Sequence, residues 1–212
     1  MYRVSVDVGG TFTDLVAMDE ETGQVTNIKV PTEPKSPEAG VLTALQRFLE
    51  GRDPSSVGMV GHATTIATNA LFGQVDLELP RTAFLTTAGF RDVLEIGRQR
   101  RSEVYNLFFQ RPPMLVGRRD RHVVRERMDH EGNVFSPLSL EDLQVAVEEI
   151  KGDGVESVAI GFLNSYANPA HEEQAYNVLR ESLPGIPLTV SSRVSSGYRE
   201  YERFSTAVVN AT

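Results

Sequence analysis

The second half of the chain alternates between helical and strand patterns. Segments 139–150 and 168–183 place apolar residues three and four positions apart, the period of a helix with one buried face. Each is followed by a short apolar run, at 155–163 and at 186–190, which is typical of a buried strand. Such alternation predicts a parallel sheet covered by helices, so we expect an α/β fold.

The first thirty residues predict three short strands joined by turns. Val4, Val6 and Val8 alternate with polar residues, the two-residue period of a half-buried strand. Glycine-containing turns separate this strand from apolar runs at 14–18 and 25–30, which indicates an antiparallel meander. We therefore expect a mixed sheet with an antiparallel start and helices on both faces.

Further elements are predicted between these two regions. Ser36 and Pro37 can begin a helix that ends before Gly51. Val57–Val60 has the pattern of a short buried strand. A helix over 66–72 and a strand over 82–86 follow.

Composition excludes several classes of protein. The 212 residues are 40% hydrophobic and carry a net charge of −8, which argues against disorder and against a surface that coats nucleic acid. There is no Cys, hence no disulfide framework, thiolate nucleophile or Cys-based zinc site. The sequence has neither the apolar core of a secretory signal nor a membrane-spanning run, so we expect a cytoplasmic protein without a membrane partner.

The segment from Asp7 to Asp14 reads Asp-Val-Gly-Gly-Thr-Phe-Thr-Asp and is the strongest motif of the chain. Small residues allow backbone N–H groups to approach phosphate oxygens, and threonine hydroxyls can donate to them. A carboxylate at a strand end can hold Mg²⁺, usually through water. The alternative is a plain β-hairpin whose glycines only satisfy turn geometry. The two acids and two threonines favour phosphate binding.

The same segment resembles the first phosphate-binding hairpin of the actin-like ATPase superfamily. The order of its residues is similar to that in the N-terminal domain of the hydantoinase A / 5-oxoprolinase family, which includes acetone carboxylase subunits. Further similar blocks extend along the chain in the same order. They are 61–71, 87–99, 105–107, 125–132 and 198–211.

The resemblance implies an actin-like ATPase (ribonuclease H-like) lobe, covering residues 1–212, of a longer polypeptide. It implies an ATP-dependent hydrolase that activates the carbonyl of a cyclic amide, such as a hydantoin or 5-oxoproline, by phosphorylation. ATP and Mg²⁺ are the implied cofactors. Asp7 and Thr11 are the implied catalytic residues, and Asp7 the magnesium ligand. Gly9, Gly10, Thr11, Phe12 and Thr13 would surround the phosphates, while Asp14 would brace the hairpin.

The resemblance also bears on partners and on alternatives. The family has a second glycine-rich motif and an adenosine site that this stretch lacks, so the C-terminal lobe of the same polypeptide, or another chain, would complete the site. A hydantoinase B-like subunit is a further expected partner. A ketone carboxylase subunit, a small-molecule kinase lobe and a non-catalytic phosphate-binding module remain alternatives, and isolated residues 1–212 are expected to be inactive.

A second group of candidates follows the strand at 57–60. Thr64, Thr65 and Asn69 could meet a substrate or phosphate, or could cap and brace the helix locally. Arg91 could contribute to a carboxylate-binding patch with Glu95 and Arg98 if one helix spans all three. A surface ion pair between residues i and i+4 is the alternative.

Two more features carry expectations. The stretch 91–127 holds ten Arg and five acidic residues, a charge of +5, and an irregular Arg-rich insertion is expected at about 97–131. Its arginines face either an anion or the acidic remainder of the chain. A helix from about Tyr198 would leave Val208 and Val209 in need of a partner, which suggests a homo-oligomer.

Overall fold

The structure is a computed structural model that describes residues 1–33, 35–73, 79–110 and 113–212. The chain divides into two compact units, Met1–Leu79 and Pro80–Thr212. The first unit contains β1 (Tyr2–Val8), β2 (Phe12–Asp19), β3 (Val25–Pro31), α1 (Pro37–Leu49), β4 (Val57–Thr64) and α2 (Ile66–Leu71).

The second unit is larger. Its helices are α3 (Val93–Ile96), α4 (Leu140–Gly152), α5 (Ala170–Ser182), α6 (Ser191–Val194) and α7 (Glu200–Ala211). Its strands are β5 (Thr82–Thr87), β6 (Arg121–Val124), β7 (Arg127–Met128), β8 (Val134–Ser136), β9 (Ser157–Gly161) and β10 (Leu188–Val190). Single 3₁₀ turns lie at Pro54–Ser56, Gly97–Gln99 and Arg118–Asp120.

The first unit is a four-stranded mixed sheet in the order β3-β2-β1-β4. The meander β1–β3 is antiparallel, as predicted, whereas β4 runs parallel to β1. One face is covered by α1, which packs Ala44 and Phe48 on the inward residues of β1 and β2. The ring of Tyr2 meets that of Phe48 edge-on at 5.3 Å.

The prediction of a short buried strand at Val57–Val60 is wrong. Strand β4 extends to Thr64 and is largely exposed, with Met59 57% and Val60 56% accessible. The apolar run suggested burial, but β4 is an edge strand of the sheet. Whether an apolar strand is central or at an edge depends on strand order, which local pattern does not encode.

The second unit holds a parallel sheet in the order β10-β9-β5-β6. Helices α4 and α5 pack on one face, against Leu85 and Ile160 among others. On the other face α3 and α7 pack around Phe84 and Ala159. The predicted parallel sheet with helices on both faces is therefore found in this unit, while the antiparallel start forms a separate sheet.

The chain end differs from expectation. Val208 is 4% exposed and packs with Phe204 and Ala207 in the core of its own unit, whereas Val209 remains 46% exposed. Helix α7 thus buries its apolar face within the chain, which removes the reason for expecting a homo-oligomer.

The Arg-rich stretch is more regular than predicted. Its latter part forms β6 and β7, and β6 pairs in register with β5. No helix among the described residues is long and apolar enough to cross a membrane.

Candidate functional site

A three-residue turn, Gly9–Thr11, connects β1 to β2. The N–H of Gly9 donates to the carbonyl of Phe12 at 3.0 Å, and the N–H of Thr32 donates to the carbonyl of Thr11 at 3.0 Å. A Cβ on Gly9 would lie 3.0 Å from that Phe12 carbonyl. Gly9 does not have a positive φ, so the turn needs glycine here for close approach, not for a left-handed conformation.

The turn presents its side chains outward. Thr11 is exposed, and Phe12 is 43% exposed, with the Lys29 ammonium 5.0 Å from its ring centroid. An exposed hydroxyl on a tightly bonded turn can donate to a bound group without costly rearrangement.

Asp7 and Asp14 face each other directly across the β1–β2 pair. The Nζ of Lys29 lies 3.0 Å from a carboxylate oxygen of Asp14, which balances that charge. Asp7 is exposed, and its carboxylate has no hydrogen bond or ion pair among the described residues. Of the two opposed carboxylates, Asp7 is therefore the one left without a counter-charge among the described residues.

Thr13 is placed differently from Thr11. It is fully buried, and its Oγ1 lies 2.9 Å from the hydroxyl of Thr32. Helix α1 approaches it so closely that a Cβ on Gly40 would lie 2.7 Å from Oγ1. The side chain of Thr13 therefore anchors the turn from below, and its hydroxyl does not face the turn's outer surface.

The end of β4 lies beside this turn, because β1 and β4 are parallel and Val8 is in register with Thr64. The N–H of Thr65 donates to the Val8 carbonyl at 3.1 Å. The hydroxyl of Thr64 accepts from the N–H of Ile66 at 3.2 Å. The amide of Asn69 donates to the Thr65 hydroxyl at 3.5 Å. Thr64 and Thr65 are exposed beside the turn, and the hydrogen bonds of Thr64 and Asn69 are local. The N-cap of α2 is Thr65, not Thr64, and it forms no side-chain cap hydrogen bond.

The proposed Arg91, Glu95 and Arg98 patch does not form on one helix. Helix α3 ends at Ile96, and Gly97 follows with φ 52°. Arg91 belongs to the second unit, where its Nε is 3.6 Å from Asp92. Arg91 thus pairs with the adjacent Asp92, and not with a carboxylate four positions along the chain.

Several arginines of the Arg-rich stretch pair with carboxylates. Arg118 lies 3.2 Å from Asp92, and the buried Arg121 lies 2.9 Å from Glu95. Arg118 lowers the pKa of Asp92 through its hydrogen bond. Farther along, Arg125 holds Asp142 bidentately and lowers its pKa to about 2. Of these three arginines, Arg125 pairs with the acidic remainder of the chain, whereas Arg118 and Arg121 pair with carboxylates inside the Arg-rich stretch itself.

Two buried polar networks were not predicted. In the first, Thr87 donates to Glu126, whose other oxygen lies 2.7 Å from His171 Nδ1. In the second, Glu172 accepts from the N–H of Phe162 at 2.8 Å and from the hydroxyl of Ser191 at 2.6 Å. The partners Thr87, Glu126, Phe162 and Ser191 lie at or just beyond the carboxyl ends of the parallel strands, whereas His171 and Glu172 lie in the first turn of α5 and reach these strand ends from there.

The centre of the second network is Arg203, whose side chain is fully buried. Its guanidinium donates to the carbonyls of Gly197 and Phe162, both at 2.8 Å, and to Ser191 at 3.2 Å. Burial lowers the pKa of this guanidinium. Its only sequence signal was membership of the block at 198–211, which gave no hint of burial.

The described residues hold no cluster of three or more His, Asp or Glu side chains that could bind a metal ion. Asp7 alone offers an unpaired carboxylate beside the turn. Mg²⁺ commonly uses one or two protein carboxylates and completes its shell with water and phosphate. The residues present are consistent with that kind of site.

Comparison with known proteins places this geometry in a family. Residues 3–183 match the hydantoinase/oxoprolinase N-terminal region. A Methanocaldococcus jannaschii protein is 46% identical over 210 residues, covering 99% of this chain and 31% of that protein. The acetophenone carboxylase gamma subunit of Aromatoleum aromaticum is 33% identical over 228 residues, covering 98% and 30%.

The caprolactamase alpha subunit of Pseudomonas jessenii is 33% identical over 218 residues, covering 99% of this chain and 31% of that subunit. The crystal structure of ATP-dependent caprolactamase from the same organism superposes with a TM-score of 0.85 at 31% identity, again covering 99% and 31%. The chain thus spans about a third of the length of these relatives, and its fold is of the actin-like ATPase type. The resemblance drawn from the sequence is confirmed: the chain belongs to the hydantoinase/oxoprolinase family, as its N-terminal region.

Proposed function

We propose that this chain is the ATP-binding N-terminal part of an enzyme that activates the carbonyl of a cyclic amide by phosphorylation. The observation that carries the proposal is the Gly9–Thr11 turn at the carboxyl ends of β1 and β4. It combines a close backbone approach, an exposed hydroxyl and an unpaired carboxylate. The family relationship to an ATP-dependent caprolactamase supports it.

Each residue of the turn would have a distinct part. The backbone of Gly9, Gly10 and Thr11 would approach the phosphate oxygens, and the Thr11 hydroxyl would donate to one of them. Thr64 and Thr65, beside the turn, could extend the same polar surface. Thr13 would act only through support of the turn, since its hydroxyl is bonded to Thr32 in the core.

Asp7 would hold Mg²⁺, through water, at the strand end. When bound, this ion would neutralise charge on the phosphates during transfer. Asp14 opposite would stay paired with Lys29 and would brace the hairpin, which leaves Asp7 as the carboxylate available to the ion.

The chemistry we propose follows from the poor leaving group in an amide. Transfer of the terminal phosphoryl group of ATP to the amide oxygen forms one O–P bond, breaks the bond to ADP, and gives an activated carbon. Water then adds to that carbon, the C–N bond breaks as the nitrogen takes a proton, and an acyl phosphate is left. A second water hydrolyses the acyl phosphate to the carboxylate and free phosphate. Catalysis of the first step requires mainly positioning and charge neutralisation.

The part of the nucleotide site that binds the adenosine would come from outside residues 1–212. Because the chain spans about a third of its relatives, we propose that the C-terminal part of the same polypeptide binds the adenosine and closes over the turn. The caprolactamase and acetophenone carboxylase relatives are subunits, so a second, hydantoinase B-like subunit is a proposed partner. We propose a cytoplasmic location for the assembly.

A ketone carboxylase subunit is a second candidate. The acetophenone carboxylase gamma subunit matches this chain at the same 33% identity as the caprolactamase subunit. The two reactions differ in the step after activation: water adds to the amide carbon in the hydrolysis, whereas the ketone combines with bicarbonate in the carboxylation. No residue of the turn distinguishes between these two steps. Product analysis with a lactam and with a ketone plus bicarbonate would distinguish them.

The test uses the full-length protein and measures ATP binding and ATP-dependent amide hydrolysis. Asp7→Asn and Thr11→Ala are expected to weaken Mg·ATP binding or turnover by about 10-fold or more, since each loses a charged or charge-assisted contact. The matched control is Asp14→Asn, because Asp14 lies directly opposite Asp7 in the β1–β2 pair but is paired with Lys29. Equal effects of Asp7→Asn and Asp14→Asn would contradict the assignment.

A further inference from the structure

Two sequence blocks that lie about a hundred residues apart line one cavity of the second unit. The blocks are 87–99 and 198–211, and neither has a part in the proposed nucleotide site. The cavity between them has a volume of about 290 Å³, with lining residues that include Phe90, Val93, Arg98, Tyr198 and Arg199. Convergent polar and aromatic groups in one concavity are the usual mark of a small-molecule site.

One wall of the cavity is held in an unusual backbone conformation. Arg98 and Gln99 have φ of 56° and 57°, the left-handed region that non-glycine residues avoid. This conformation costs roughly 1 kcal/mol or more per residue and persists where other contacts enforce it. The guanidinium of Arg98 lies 2.5 Å from a carboxylate oxygen of Glu202, which ties this wall to α7.

The opposite wall is positioned by the buried Arg203. Its hydrogen bond to the carbonyl of Gly197 fixes the segment that leads into Tyr198 and Arg199. The ring of Tyr198 packs edge-on against Tyr166 at 6.3 Å, and the Arg199 guanidinium lies 5.0 Å from the Tyr198 ring centroid. Arg199 is thus held against an aromatic surface although it is exposed.

The charges in the cavity select the kind of ligand. Arg98 and Glu202 compensate each other, whereas Arg199 has no carboxylate partner among the described residues. Glu200 adds a negative charge to the lining. The charged side chains of the lining therefore sum to zero, but the Arg199 guanidinium makes no ion pair among the described residues and is free to bind one carboxylate, whereas a dianion would bring a second negative charge with no partner. The planar fork of arginine also matches a carboxylate.

We propose that this cavity binds a small monocarboxylate, with Arg199 on the carboxylate and the planar or apolar body of the ligand against Phe90, Val93 and Tyr198. The site is separate from the proposed nucleotide site in the residues it uses. It does not depend on the proposed function, because no phosphate contact is involved.

The experiment measures binding of three probes of one shape to the full-length protein, without nucleotide. The probes are benzoate, the neutral benzamide and the dianionic phenyl phosphate, measured by ligand-detected NMR and calorimetry. We expect benzoate to bind at least about 10-fold more tightly than either of the others. Equal binding of benzoate and benzamide, or preference for phenyl phosphate, would overturn the proposal.

Two variants and a control locate the site. Arg199→Gln is expected to abolish the preference for benzoate, since the residue is exposed and its loss leaves the fold intact. Glu202→Gln removes a negative charge and frees Arg98, so binding of phenyl phosphate should rise several-fold and more than that of benzoate. Arg193→Gln, on an exposed arginine paired with Glu173 and outside the cavity lining, should change nothing. If Arg199→Gln binds benzoate as the parent does, the assignment fails.

Discussion

Polar groups lie at the carboxyl ends of parallel strands in both units of this protein, but they are exposed in the first unit and buried in the second. In the first unit Asp7, Thr11 and Thr64 are exposed, and Asp7 has no partner among the described residues. In the second unit Glu172 of α5 and Arg203 of α7 reach the end of β9, where both are fully buried and form hydrogen bonds with the backbone of Phe162. The same position in a sheet can therefore supply a surface for ligands or the polar centre of a core.

The difference follows from what lies beyond each strand end. In the first unit a three-residue turn leaves little chain to cover the strand ends. In the second, the segments after β9 and β10 fold back, and their N–H groups need acceptors once water is excluded. Glu172 accepts from the N–H groups of Phe162 and Ser192, and also from the Ser191 hydroxyl. Buried polar groups with complete hydrogen bonding specify a unique arrangement.

The largest expected effect tests the buried side of this comparison. Glu172→Ala would leave three buried donors unpaired and would remove the charge that faces Arg203, so we expect a loss of about 3 kcal/mol or more in the free energy of unfolding. Urea denaturation followed by circular dichroism measures it. The neighbouring Glu173→Ala removes an exposed ion pair with Arg193 and should cost less than about 1 kcal/mol. Similar losses for both variants would mean that the network carries little stability.

An intermediate effect is expected from Thr11 in the turn and Thr13 at the start of β2. Thr13→Val leaves the Thr32 hydroxyl unpaired in the core, which should reduce the free energy of unfolding by about 1–2 kcal/mol and leave Mg·ATP affinity unchanged. Thr11→Val should do the reverse, because its hydroxyl is exposed. Calorimetric titration with Mg·ATP and thermal denaturation of each variant give both quantities. Loss of ATP affinity in Thr13→Val at unchanged stability would place its hydroxyl at the ligand instead.

The difference between the exposed Thr11 and the buried Thr13 is partly predictable from the sequence. Thr13 continues the alternation of the buried Leu15 and Ala17, so its inward direction could have been read from the two-residue period of β2. The Asp-Val-Gly-Gly-Thr segment was recognisable because its residues are consecutive. Helices α4, α5 and α7 were also predictable, since apolar period and capping are local.

Other features depend on strand order and could not be predicted locally. Glu126 and His171 are 45 residues apart, and they meet only because their segments converge in the folded unit. The exposure of β4 follows from its place at the sheet edge. The cavity between Arg98 and Arg199 likewise needs α3 and α7 to pack on the same face of the sheet.

The smallest effect on stability is expected from an exposed ion pair, that of Arg125 with Asp142. Arg125 lowers the pKa of Asp142 from 3.8 to about 2 in the folded state. Because the folded pKa is depressed, the pair contributes its stability above about pH 4, and that contribution is lost as the pH falls from about 4 to 2. The melting temperature of the parent should therefore fall more steeply over this range than that of Asp142→Asn. The two profiles should run parallel above about pH 5. Because the pair is at the surface, solvent screens it, and the difference should be well below that of Glu172→Ala. Parallel profiles from pH 2 to 7 would show that Arg125 does not stabilise the ionised Asp142.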